Sequence, residues 1–195
     1  ALRKKDAPRL AQLRERAIGH QHPLAQWVDY WELGNRLAQA QQPELDTFYG
    51  RWSGSYVEDR LRNDWLLELG KRRDWANFTR EFPRFRMNDD REVTCYAILS
   101  EHLDADGKRP SPSIKSRALE AWLAQRELDD GCHQMATALV EARVFGPDEV
   151  WLKARGGAEA NRPRATRAAV ALVAPAMQVQ ATRAFDNPAL YLNAG

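Results

Sequence analysis

The sequence predicts an all-α fold: a right-handed superhelix (α-solenoid) of stacked short helix hairpins. Three observations lead there. Apolar residues recur at helical spacing along most of the chain, while the strict apolar–polar alternation of strands is scarce. The helical segments are short and are punctuated by Gly, Pro and Asp turn signals. Successive hairpins are similar in size but share no sequence repeat, as in an irregular superhelix. A four-helix bundle, the competing architecture, would use fewer and longer helices.

Taken in order, Pro23–Ala40 forms a helix through Leu24, Trp27, Val28, Trp31 and Leu37, with Pro23 suited to its first turn. Pro43–Trp52 is a short partner. Gly54–Gly70 places Val57, Leu61, Trp65 and Leu69 at strict i, i+4 spacing on one face. Ser53 or Ser55 caps its start, and Gly70 suits its end. Asp74 caps a shorter helix carrying Trp75, Phe78 and Phe82, which stops at Pro83. The connection Gly70–Arg73 is short enough to set these two helices antiparallel, so that Trp65 and Trp75 meet or nearly meet inside the hairpin.

Asp90–Leu103 then carries Cys95, Leu99 and Leu103, and a turn-rich loop, Asp104–Ser113, follows. Ile114–Gln125 carries Ile114, Ala118 and Trp122. Asp129–Arg143 carries Cys132, Met135, Ala136, Leu139 and Val140. Pro147–Glu159 opens on a Pro-Asp-Glu start signal, and the Ala-rich Arg164–Val173 ends before Pro175. The tail to Gly195 is a further helix or a truncated one. At these spacings Trp27, Trp31, Trp65, Trp75 and Trp122 are expected to form a structural aromatic core, because an indole buries a large area. A stacking platform would require exposed rings.

Composition narrows the function classes. With 44% hydrophobic and 29% charged residues, the 195-residue chain is globular and not disordered. No apolar run approaches the roughly 18 residues of a membrane span, and no charged-then-apolar leader stands at Ala1. A net charge of +2 is too balanced to predict a nucleic-acid partner. Cys95 and Cys132 fit no zinc pattern. By themselves they allow either a disulfide in an oxidising compartment or two inert buried thiols.

Motifs of chemistry are sparse. His20 and His22 stand just before a helix, but no third ligand of suitable spacing accompanies them, so neither a metal nor a cofactor is implied. Lys71, Arg72 and Arg73 form a basic run in the expected turn; such a run is ordinarily a solvated face, and its functional reading is a contact for an anionic polymer. The chain contains no Gly-rich phosphate loop, no Gly-x-Ser-x-Gly elbow and no carboxylate in an evidently apolar setting.

Several blocks together resemble a known family. They are HPLAQWVDYWELGNRL (His22–Leu37), FYGRWSGSYVEDRLRNDWLLELGKRRDWANF (Phe48–Phe78), Cys95-Tyr96 with its helix, LEAWLAQRELDDGCHQM (Leu119–Met135) and Val150-Trp151-Leu152. In order and spacing they look like the N-terminal superhelical U-domain of the soluble lytic murein transglycosylases. The resemblance runs from about His20 to about Pro175 and is most specific over Gly54–Trp75.

The resemblance implies a periplasmic protein of the peptidoglycan machinery. Members of that family are lyases that cut between N-acetylmuramic acid and N-acetylglucosamine and leave 1,6-anhydro ends. Their U-domain closes a ring with a linker domain and carries a lysozyme-like catalytic domain. The catalytic Glu-Ser pair of the family has no counterpart here, since no Glu-Ser dipeptide occurs. Residues 1–195 are therefore expected to be one helical U-domain, a fragment of a longer protein that lacks the catalytic domain and is inactive alone.

The implied partners are glycan strands of peptidoglycan, with Lys71, Arg72 and Arg73 as candidate contacts, and the linker and catalytic domains. The implied disulfide is Cys95–Cys132. The alternative function is a helical-repeat scaffold that holds a periplasmic protein partner.

Overall fold

The computed structural model describes residues 6–104 and 113–193, and among them every regular element is helical. The chain divides into two compact units, Ala1–Asp89 and Asp90–Gly195.

In the first unit, α1 (Ala7–Gly19) packs on α2 (Ala25–Asn35), α2 packs on α4 (Tyr56–Arg72), and α4 packs on α5 (Trp75–Glu81); α3 (Gln42–Arg51) precedes α4. Capping chemistry sets several of these boundaries. Of the two serines able to start α4, Ser55 does so, its hydroxyl accepting the Glu58 N–H at 3.3 Å. The helix overruns Gly70 and ends only at Arg72, with Arg73 left-handed at φ 59°. Asp74 caps α5 as expected, accepting the Asn77 N–H at 3.2 Å.

Two features of this unit depart from the sequence-based expectation. Helix α1 was not anticipated. It starts at an Asp6 cap with Pro8 in its first turn, but Leu10 is its one fully buried residue, so its apolar periodicity is faint. The expected helix Pro23–Ala40 is also interrupted: α2 stops at Asn35, and a 3-10 turn, Leu37–Gln39, follows. The cause lies 32 to 35 residues downstream. The Arg72 guanidinium donates to the Leu37 carbonyl at 2.8 Å and to the Ala40 carbonyl at 3.1 Å, so these acceptors are satisfied without continuing the helix.

In the second unit, α6 (Arg91–Asp104) packs on α7 (Ile114–Ala124) and on α8 (Asp130–Glu141), α7 meets α9 (Pro147–Glu159), and α9 packs on α10 (Pro163–Val173). The tail holds two helices, α11 (Gln178–Asp186) and α12 (Pro188–Asn193). Cys95 and Cys132 form a disulfide that joins α6 to α8, with Cα atoms 4.9 Å apart and neither residue exposed. The same two helices approach closely at Gly131, where a Cβ would lie 2.8 Å from Glu92 Cγ. Trp122 stacks on Phe145 with ring centroids 5.6 Å apart in the core of this unit. The loop expected over Asp104–Ser113 lies outside the described residues at 105–112.

Candidate functional site

The five tryptophans assigned to the core separate into distinct environments. Trp65 and Trp122 are buried, at 1% and 3% exposure. Trp65 is held at its edge and over one face: Nε1 donates to Gln42 Oε1 at 2.8 Å, and the Arg72 guanidinium lies 4.9 Å from the ring centroid. Trp75 is half-buried and sits edge-on to Phe78, with centroids 6.0 Å apart. Trp27 is also half-buried.

Trp31 is exposed, at 37%, and does not belong to the core. The reason is the identity of the residues on the inward face of α2. Ala25, Asp29 and Leu33, spaced i, i+4, i+8, point inward together with Glu32. Asp29 is 1% exposed and fully engaged, by Arg14, by Arg51 Nη1 at 2.5 Å and by Trp52 Nε1 at 2.7 Å. With charge neutralised inside, the i, i+4 pair Trp27 and Trp31 is left on the other side of the helix.

There the two indoles join a phenol. Trp27 lies 6.3 Å from Trp31 and 5.9 Å from Tyr56 between ring centroids, and Tyr56 is 59% exposed. Tyr30 meets Trp27 edge-on at 6.1 Å, and Leu24, 52% exposed, precedes the cluster. Tyr30 anchors it to α4 by donating its hydroxyl hydrogen to Asp64 at 2.7 Å. Burial, followed by that hydrogen bond, pushes the Tyr30 hydroxyl up to about 12, so it stays a donor across the physiological range. The result is a contiguous aromatic surface in the first unit, open to water and fixed from below.

The basic run behaves differently from its sequence-based expectation. Lys71 and Arg72 belong to α4 and not to a turn. Arg72 is committed to the fold: it pairs with Glu68 at 2.8 Å, caps the Leu37 and Ala40 carbonyls, and covers Trp65. Only Lys71 and Arg73 of the three are exposed. His22 is likewise occupied, its Nδ1 accepting the Leu24 N–H at 3.1 Å, and among the described residues no three potential ligands converge on a metal position.

One carboxyl, Glu92, is pushed above its ordinary range, chiefly by burial. It accepts the Gly131 N–H at 3.0 Å and so serves the start of α8. No helix of the described residues is long and apolar enough to cross a membrane.

No protein-family model matches the chain, and no curated protein does. The functional reading therefore rests on the residues and their geometry.

Proposed function

We propose that the chain is a non-catalytic glycan-positioning scaffold of the U-domain type seen in soluble lytic transglycosylases. In this reading it is a right-handed superhelical module of the periplasm, working beside linker and catalytic domains that act on peptidoglycan. The observation that carries the reading is the exposed surface of Trp27, Trp31 and Tyr56. Sugar rings offer apolar C–H faces that lie on aromatic rings, and their hydroxyls stay in water at the rim. An exposed aromatic group of this kind marks an interaction surface, because isolated surface apolar residues do not cluster so closely. The Cys95–Cys132 disulfide supports an oxidising compartment. With Arg72 engaged internally, ring stacking and not the basic run supplies the main contact in this reading.

The test is sedimentation with purified murein sacculi at low and high salt, with the supernatant analysed for anhydro-muropeptides. The wild-type chain is expected to co-sediment without releasing product and to keep most of its binding at high salt. The double variant Trp31→Ala, Tyr56→Ala is expected to bind at least roughly tenfold more weakly, equivalent to about 1.4 kcal/mol. Unchanged binding by that variant removes the platform from the account. Failure of the wild-type chain to co-sediment favours the alternative, a scaffold whose aromatic patch receives a periplasmic protein.

A further inference from the structure

We infer that an open pocket of the first unit, built from α3, α4 and α5, binds a phosphorylated sugar, with the phosphate on Arg80 and Arg84 and a sugar hydroxyl on Asp46. None of its lining residues belongs to the aromatic surface, so the inference does not rest on the glycan reading.

The pocket has a volume of about 340 Å³ and is lined by Asp46 and Tyr49 of α3, Arg62 of α4, Arg80 of α5, and Arg84 of the 3-10 turn Phe82–Arg84 that follows. That volume lies within the roughly 300–1,000 Å³ of small-molecule sites and has room for a phosphate with one sugar ring. Tyr49 and Arg62 are buried, with the Arg62 guanidinium 3.9 Å from the Tyr49 ring centroid. The other three residues can be reached from water: the side chains of Asp46, Arg80 and Arg84 are 51%, 46% and 58% exposed.

Glu81 brings the two exposed cations together. Its Oε1 lies 3.4 Å from Arg80 Nε and 3.6 Å from Arg84 Nη1, so two guanidiniums approach a single oxygen atom. Neither distance is the roughly 2.7–2.9 Å of a charge-assisted hydrogen bond. Glu81 is satisfied without them: Arg62 donates to its Oε2 and Gln42 to its Oε1 at 3.0 Å, and it has no exposed surface. Asp46 does not use Arg80 up either, since its Oδ1 accepts Gln42 at 2.9 Å and stands 3.7 Å from Arg80. Arg80 and Arg84 are therefore held side by side with N–H donors to spare, because a guanidinium carries five. Arg62 adds charge from beneath, although its own donors serve Glu58 and Glu81.

Two guanidiniums that converge from separate turns call for an oxyanion whose oxygens point in different directions. A phosphate monoester carries close to two negative charges at neutral pH and three acceptor oxygens, so it can meet both cations while bonded to carbon. A carboxylate offers two coplanar oxygens and a single charge. Asp46 selects what accompanies the phosphate. Beside the cations it repels a bare anion, yet it accepts a hydroxyl hydrogen. A sugar phosphate, with a hydroxyl a few bonds from its phosphate, suits both groups.

Titration of the full chain with glucose 1-phosphate, inorganic phosphate, glucuronate and glucose, followed by calorimetry and amide NMR shifts, tests the inference. Saturable binding of glucose 1-phosphate is expected, roughly tenfold tighter than of any of the other three. Arg80→Gln and Arg84→Gln are each expected to weaken it roughly fivefold, as for the loss of a charge-assisted contact. Both should keep the wild-type melting temperature, because Arg62 and Gln42 still hold Glu81. Arg164→Gln removes the same charge from an exposed position of the second unit and is expected to change nothing. Asp46→Ala is expected to bring glucose 1-phosphate down to the level of inorganic phosphate. Absence of saturable binding, equal binding of glucuronate or inorganic phosphate, or full binding by both arginine variants overturns the inference. So does an equal loss in Arg164→Gln, or a preference for the sugar phosphate that survives Asp46→Ala. The sacculus assay reads Trp31 and Tyr56 and this titration reads Arg80 and Arg84, so each result can fail alone.

Discussion

The two units hold their helices together by different means. In the first, buried ion pairs cross an otherwise apolar interior. Glu81 has no exposed surface and receives Arg62, itself 3% exposed, along with Gln42 at 3.0 Å and the rim guanidiniums of Arg80 and Arg84. Asp29 ties α2 to α1 and α3 in the same manner, and Asp59 accepts the N–H groups of Arg86 and Met87 at 2.9 and 2.8 Å. In the second unit a covalent cross-link joins α6 to α8, and helices approach closely at Gly131 and Gly157. A buried charge is tolerable only when every helix that supplies a partner is in place, so the first unit depends on simultaneous assembly. A disulfide acts largely by restricting the unfolded chain and asks less of the folded geometry.

The comparison is broken most strongly at Glu81. Glu81→Ala removes one of the two carboxylates that meet the buried Arg62 guanidinium, leaving Glu58 at 2.8 Å, and is expected to cost about 3 kcal/mol. The loss should appear by hydrogen exchange across α3, α4 and α5, with α6 to α10 unaffected; equal loss in both units would refute the division. The next effect comes from reduction of Cys95–Cys132, expected to cost about 2–4 kcal/mol. Protection should fall in α6 and α8 while α1 to α5 keep theirs. No free cysteine is present to reshuffle the bond.

The smallest effect sharpens the comparison through pH. The Lys153 amine sits near 8 in the folded protein and at its ordinary value of 10.5 when unfolded. Between those values the unfolded chain binds more protons, so stability rises with pH. The gain is expected to reach about 1–2 kcal/mol between pH 8 and 10. Above pH 10 the sign reverses. Burial raises the hydroxyls of Tyr30, Tyr49 and Tyr96, so their unfolded forms ionise first and stability is lost as pH climbs further. Denaturant titrations of the second unit at pH 8, 9 and 10 check the rising arm, and a flat profile there contradicts it.

Most of the helical order was legible in the chain because its signals are local. Ser55, Asp74 and Pro147 mark their helices by chemistry acting over three residues or fewer. What escaped depends on residues far away in sequence. Apolar spacing selected Trp27 and Trp31 as the inward face of α2, whereas the inward face carries Asp29 and Glu32. Asp29 can be buried because Arg14 and Arg51 reach it from other helices, while Glu32 is met from the end of α2 itself by Arg36. Arg72 looked like a surface cation because its carbonyl partners lie 32 and 35 residues earlier. The placement of Lys153 was hidden for the same reason, since it closes the end of α7 from 28 and 31 residues away.

The uneven exposure of the tryptophans gives the protein an intrinsic optical readout. Trp31 faces water and should emit toward the red, while Trp65 and Trp122, sealed in the two cores, should emit toward the blue. On the proposed reading, a saccharide seated on Trp27 and Trp31 would dry those two indoles and shift the red side of the spectrum. Melting would move the blue edge instead. Occupancy and integrity are thus written at opposite ends of one emission band, with no label attached.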